Sequence, residues 1–301
     1  MDLRIKIGNL TFQNPIWVAS GTFGYAQEFN DFLDLNTLGA IVTKTITLQP
    51  CSGNSPPRLH EAAAGLIDAI GLQNPGIDAY LTKYLPFLKT LTPHCICSIA
   101  GNTPDDYGLL AKKLSMDSFF KIIEVNLSCP NLDKNSVIPA QSASLTFDIL
   151  TQIRHHFSGL MIAKLAPNVT DLTEIARAAQ RAGAHALTIA NSYPALAIDA
   201  LHQQFLLGHR TGGLSGPAIK PLTQKLVWEV AKQVNLPIIG VGGIQSGLDV
   251  AEYLLCGAIA VQLGTINLTE PSAYARISRE FSQYLTDKQL TLALLQQYPK
   301  K

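Results

Sequence analysis

Charge is scarce in this 301-residue chain. Only 15% of its residues are Asp, Glu, Lys or Arg, and they balance to a net +1. Without a basic surplus there is no electrostatic case for nucleic acid or an anionic membrane surface as a partner. Long apolar runs are missing too. No stretch approaches the roughly 18 uncharged apolar residues of a membrane span. The opening Met1-Asp-Leu-Arg-Ile-Lys6 mixes charge with apolar residues, unlike a secretion signal. Cysteine is sparse and odd in number: Cys51, Cys95, Cys97, Cys129 and Cys256. That set excludes a disulfide framework and an iron–sulfur cluster within the chain, and it offers no metal site. Cys95 and Cys97 stand two apart, as on one face of a strand. A reducing cytoplasm is the expected compartment.

Apolar material is abundant, at 47% of residues, enough for a large core. Leu3 to Phe12 alternates around Gly8-Asn9, which predicts a short N-terminal β-hairpin. Eight apolar runs follow: Pro15–Ser20, Ala40–Lys44, Cys95–Ala100, Ile122–Asn126, Met161–Leu165, Ala186–Asn191, Pro237–Val241 and Ala260–Leu263. Between them lie helical patterns over Gly76–Lys89, Asp105–Leu114, Leu145–His156, Asp171–Ala182, Ala218–Gln233, Gly247–Cys256 and Pro271–Tyr284. Eight strands alternating with helices predict an α/β protein, a (β/α)8 TIM barrel, with a doubly wound sheet as the runner-up. Thr47–Pro75 and Ala195–Pro217 interrupt the spacing and read as long loops inserted over the C-terminal face of the barrel. No linker divides the chain, so residues 1–301 are expected to form one domain.

In such a barrel, chemistry collects where the strands end. Glu124-Val-Asn-Leu-Ser-Cys-Pro-Asn131 closes the fourth run with amides and a thiol. The proline keeps Cys129 out of helix, and a thiol so flanked can take a proton from a bound molecule. An arbitrary free Cys is more often inert core, so the reading depends on its neighbours. Those neighbours are Ser20-Gly21, Lys44-Thr45, Ser98, Asn126, Lys164 and Asn191-Ser192, each at a strand end. Lys44 and Lys164 close apolar runs, which aims both ammonium groups at the barrel mouth. Gly242-Gly243 and Gly264-Thr265, after the last two strands, suit a phosphate held by backbone N–H groups. A phosphorylated ligand with two lysines along it suggests FMN rather than a sugar phosphate, because Lys164 can neutralise an anionic reduced ring.

Taken together, Asn126-Leu-Ser-Cys-Pro-Asn131, Ala19-Ser-Gly-Thr-Phe-Gly24, Val42-Thr-Lys-Thr45, Ala69-Ile-Gly-Leu-Gln-Asn-Pro-Gly76, Gly212-Gly-Leu-Ser-Gly-Pro217 and Gly240-Val-Gly-Gly243 resemble the dihydroorotate dehydrogenases, in the family's order from about residue 3 to 275. The cysteine loop is similar to that of the class 1B catalytic subunit. The resemblance implies FMN-dependent oxidation of (S)-dihydroorotate to orotate in pyrimidine synthesis. Cys129 would remove the C5 proton while the C6 hydride goes to flavin N5, and Lys44 would touch both flavin and substrate. Substrate would be held by Lys44, Asp68, Ala69, Ile70, Gly71, Leu72, Asn126, Asn131, Asn191 and Ser192. Flavin would be held by Ser20, Gly21, Lys44, Thr45, Ser98, Asn126, Lys164, Ala190, Gly216, Gly242, Gly243, Gly264 and Thr265. It also implies a homodimer working with a separate subunit that carries FAD and an iron–sulfur cluster, with NAD as final acceptor.

Three positions depart from the class. Asp68 stands where it carries an Asn that contacts the pyrimidine, Ser98 replaces a flavin-contacting Asn, and Ser192 replaces Thr. An ionised Asp only accepts hydrogen bonds, whereas Asn also donates. Asp68 therefore keeps open a related flavin barrel acting on uracil or dihydrouracil, and a flavin-binding homologue with impaired activity.

Overall fold

In chain order the strands of the computed structural model, which describes residues 1–128 and 138–297, are β1 Ile5–Ile7, β2 Leu10–Phe12, β3 Ile16–Val18, β4 Ala40–Val42, β5 Leu59–Ala62, β6 Gly65–Asp68, β7 His94–Ile99, β8 Ile122–Asn126, β9 Leu160–Lys164, β10 Ala186–Ile189, β11 Tyr193–Leu196, β12 Ile198–Asp199, β13 Gln204–Phe205, β14 Thr211–Ser215, β15 Ile238–Val241 and β16 Ala260–Leu263. β1 and β2 pair antiparallel as the predicted hairpin. The eight apolar runs become β3, β4, β7, β8, β9, β10, β15 and β16, which close into a barrel of parallel neighbours.

The reason these runs are strands is visible in their burial. β3, β4, β8, β9, β10, β15 and β16 are buried at every residue, the pattern of parallel strands covered on the outside by helices and filled on the inside by side chains. The predicted helices form around them with small shifts of boundary. Leu172–Arg181 begins at Asp171, whose carboxylate accepts from the Thr173 N–H. Pro104–Ser115 and Gly247–Leu255 each start with a capping box, from Thr103 with Asp106 and from Ser246 with Asp249. The helix expected over 76–89 is interrupted by a π-turn at Tyr80–Tyr84. Cys95 and Cys97 lie on β7, where burial pushes both thiols up to about 12. They are core residues, as their spacing suggested.

The two inserted regions differ from their sequence reading. Rather than separate loops, they supply the two halves of one four-stranded antiparallel sheet ordered β11-β14-β6-β5. β6 and β14 pair Asp68 with Gly213 and Leu66 with Ser215. This sheet lies across the C-terminal mouth of the barrel. Glycine is what lets it sit so close, since a Cβ on Gly213 would fall 2.0 Å from Ser192 Oγ.

Candidate active site

The barrel mouth and the overlying sheet enclose a cavity of about 650 Å³, within the usual range for a small-molecule site. Four groups of predicted residues line it. Ser20 and Gly21 follow β3, and Lys44 and Thr45 follow β4. Asn126 and Lys164 end β8 and β9, while Ala190, Asn191 and Ser192 follow β10. Asp68, Ala69, Ile70, Gly71 and Leu72 come down from the covering sheet. Gly216, Gly242, Gly243, Gly264 and Thr265 line the opposite end. Ser98 does not line the cavity. It is fully buried one layer down, with its hydroxyl 2.8 Å from Thr45 Oγ1, so any effect it has on a ligand passes through Thr45. Cys129 and Asn131 lie outside the described residues.

The strand register explains the grouping. β8 and β9 pair Asn126 with Lys164, so both side chains leave the barrel at one height. Asn126 Oδ1 accepts from Asn191 Nδ2 at 3.3 Å and from the Ser128 N–H at 3.2 Å. Tyr107 fixes the backbone there, donating to the Asn126 carbonyl at 2.8 Å. The segment after Asp68 is held just as tightly. Asn54 Nδ2 donates to the Ala69 carbonyl at 2.9 Å, and Asn74 Nδ2 donates to the Leu72 carbonyl at 2.8 Å. Leu72 has a φ of 56°, a left-handed conformation costly for a branched residue and sustained here by its surroundings. Asn54 has no sequence signal beyond an Asn-rich insertion, and Asn74, though within the Ala69–Gly76 motif, is assigned no role by it.

Electrostatically the cavity is divided. Lys164 is only 5% exposed, and its ammonium makes one hydrogen bond among the described residues, to Ser20 Oγ at 3.3 Å. Burial holds Lys44 below the ordinary lysine range, opposed by the carboxylate of Asp68. Burial likewise raises the Asp68 carboxyl, against the Ile70 N–H and the charges of Lys44 and Lys164. At the other end the backbone is shaped for an anion. Gly216 and Gly243 have φ of 96° and 69°, and a Cβ on Gly243 would meet the Gly216 carbonyl at 2.8 Å. The helix Lys220–Ala231 starts just beyond this cradle and adds its positive end. Thr265 closes the cradle through a 2.8 Å bond to Ser215 of β14. A flat ligand with a phosphate tail fits this arrangement, the tail in the glycine cradle and the ring against Lys164 and Lys44.

The match to known proteins covers nearly the whole chain. The family model for dihydroorotate dehydrogenase matches residues 2–285. The chain belongs to the dihydroorotate dehydrogenase family. It is 42% identical over 286 residues to the catalytic subunit of dihydroorotate dehydrogenase B (NAD(+)) from Geobacter sulfurreducens, covering 95% of this chain and 94% of the relative. To the same subunit from Carboxydothermus hydrogenoformans it is 43% identical over 290 residues, covering 96% and 94%. A crystal structure of DHODH from Eimeria tenella in complex with ferulenol superposes with a TM-score of 0.79 at 25% identity, over 99% of this chain and 87% of that one. Membership in the dihydroorotate dehydrogenase family brings a flavin cofactor and dihydroorotate oxidation in pyrimidine biosynthesis. No helix among the described residues is long and apolar enough to cross a membrane, and no cluster among them could hold a metal ion.

The glycine cradle supports a direct prediction. Gly243→Ala combines a left-handed φ with a backbone collision, and should cost about 1–3 kcal/mol of stability. It should also leave the purified protein largely free of flavin, read from the visible absorbance per mole of chain.

Proposed function

We propose that this chain is the FMN-bearing catalytic subunit of a class 1B-like dihydroorotate dehydrogenase. The observation that carries this reading is the shared height of Asn126 and Lys164 at the barrel mouth, with Asn191 bonded to Asn126, opposite a glycine-shaped anion cradle in the same cavity.

In this reading Gly216, Gly242, Gly243, Gly264 and Thr265 hold the phosphate of FMN, while Ser20, Gly21, Thr45, Ala190 and Lys164 surround its ring. Bound FMN supplies the hydride acceptor. The protein's own work is to bind and orient the pyrimidine and to move one proton. Asn126, Asn131, Asn191 and Ser192 meet the ring's amide groups, and the backbone of Ala69 to Leu72 closes over it. Lys44 lies between the two ligands, where its charge offsets the substrate carboxylate. Cys129 takes the proton from C5, as the resemblance of Asn126-Leu-Ser-Cys-Pro-Asn131 to the family's cysteine loop implies. The overlying sheet excludes water, which strengthens each of these polar contacts.

Electrons need a way out, and the chain has no second nucleotide-binding glycine motif of the kind NAD binding would require. We therefore assign it, as a homodimer, to a complex with an FAD and iron–sulfur subunit that passes electrons to NAD.

An anaerobic titration tests the reading. Dihydroorotate should bleach the bound flavin stoichiometrically, and dihydrouracil should not. Bleaching by dihydrouracil alone would favour the other pyrimidine reading that Asp68 raises. Loss of bleaching by both, with flavin still bound, would defeat the dehydrogenase assignment.

A further inference from the structure

Below the mouth the barrel interior holds a charge that the reaction does not use. Glu124 on β8 is fully buried. It sits two residues before Asn126, so strand alternation places the two side chains on one face, Glu124 one layer deeper. The layers of such barrels are ordinarily filled with branched apolar side chains. Here three polar residues from three strands meet instead. Thr188 Oγ1 and Gln262 Nε2 each donate to Glu124 Oε2 at 2.8 Å. Thr188 and Gln262 are themselves fully buried.

The other carboxylate oxygen faces upward. Glu124 Oε1 accepts from Ser20 Oγ at 3.5 Å, and Ser20 Oγ in turn accepts from Lys164 Nζ at 3.3 Å. A hydroxyl that donates downward presents its lone pairs upward, so Ser20 is oriented to receive the ammonium. Neither Glu124 nor Lys164 has an oppositely charged group within 4.0 Å among the described residues. Glu124 and Lys164 face each other across one hydroxyl, and the Asp68 carboxyl also feels the Lys164 charge. A buried charge needs such compensation, since removing an ion from water is strongly unfavourable.

We propose that Glu124 is a positioning residue: it fixes the Lys164 ammonium through Ser20 and, by its own charge, sets how readily the flavin beside that lysine accepts electrons. The proposal rests on the reading that the cavity holds FMN with Lys164 against its ring. The reduced ring carries added negative charge, which Lys164 favours and Glu124 opposes. In a poorly screened interior both act strongly. Removing the Glu124 charge while leaving Lys164 in place therefore favours the reduced flavin.

Glu124→Gln makes this change with minimal disturbance. The retained oxygen still accepts from Ser20. The new amide must face Thr188 and Gln262, and Gln262 Oε1 is buried without a partner, so a turned Gln262 amide can accept from it. The measurement is the midpoint potential of the bound flavin, equilibrated with a reference dye and a chemical reductant, so no substrate is involved. The expected result is an upward shift in Glu124→Gln and a smaller displacement in Glu124→Asp, which keeps the charge. A Glu124→Gln potential equal to or below the parent's, with flavin bound and the melting temperature retained, overturns the proposal. Should Glu124→Gln not fold, Ser20→Ala carries the test. Breaking the bridge should weaken flavin affinity of the apoprotein and displace the potential, and no change in either sinks the idea. Because the potential is set chemically, failure of dihydroorotate to bleach the flavin would count against the substrate reading without touching this one.

Discussion

Replacing Cys129 with Ala should lower the rate of flavin reduction by dihydroorotate by about 10²–10⁴-fold, the usual contribution of a positioned acid or base. Flavin content should be unchanged, because the residues proposed to hold the phosphate and to face the ring come from other strands. The pH dependence carries equal weight. A free thiol ionises near pH ~8.5, so only a few per cent is thiolate at neutral pH. The parent rate should therefore rise with pH up to and through that range. A Cys129→Ser variant, whose hydroxyl does not ionise there, should lose most of the rate and its steep pH rise. Anaerobic stopped-flow measurement between pH 6 and 10 separates these outcomes. A parent rate that is flat across the range, or an Ala variant as fast as the parent, would remove Cys129 from the reaction.

The second large effect concerns Asp68. Burial raises its carboxyl above the ordinary carboxylate range, and Lys44 and Lys164 counter only part of that. The sign of the consequence follows from linkage. At pH below its raised value Asp68 is neutral and can donate a hydrogen bond to the pyrimidine. As pH rises through that value it ionises, and a carboxylate then faces the carboxylate of dihydroorotate across a poorly hydrated gap. Substrate affinity should fall as pH rises, in the opposite direction to the Cys129 limb. The product of the two is a bell in kcat/KM. Asp68→Asn restores a donor and removes the charge, so it should lower KM roughly tenfold at neutral pH, about 1.4 kcal/mol. It should also flatten the falling limb. A KM that is unchanged or higher in Asp68→Asn would mean that Asp68 is matched to a substrate lacking the carboxylate, and turnover of dihydrouracil should then be measured in the same variant.

Asp68 also shows how site and scaffold interlock. It ends β6, whose partner β14 crosses above Ser192 with glycine at the closest point. A side chain at Gly213 would lift the sheet from the mouth and open the cavity to water. The glycine pair at 212–213 is thus required by proximity rather than by an unusual backbone angle, whereas Gly216 and Gly243 are required by both.

How much of this was legible in the residues alone depended on the range of the interaction responsible. Continuous apolar runs, helix starts such as Asp171, and glycines at strand ends are local signals. Through them the sequence by itself determined the eight barrel strands and the hairpin of Ile5–Phe12, and most of the residues it named for the site lie on the cavity wall. The covering sheet escaped because its strands pair residues about 150 positions apart, and Thr211-Gly-Gly-Leu-Ser215 has a loop's composition. Ser98 is expected at the ligand, yet its hydroxyl turns to Thr45 and lies fully buried, off the cavity wall. Most of all, only the tertiary structure could decide the role of Glu124. Along the chain it is one acid in an apolar strand. Only when β8, β10 and β16 close into one barrel do Thr188, Gln262 and Ser20 meet it, placing a counter-charge beneath Lys164.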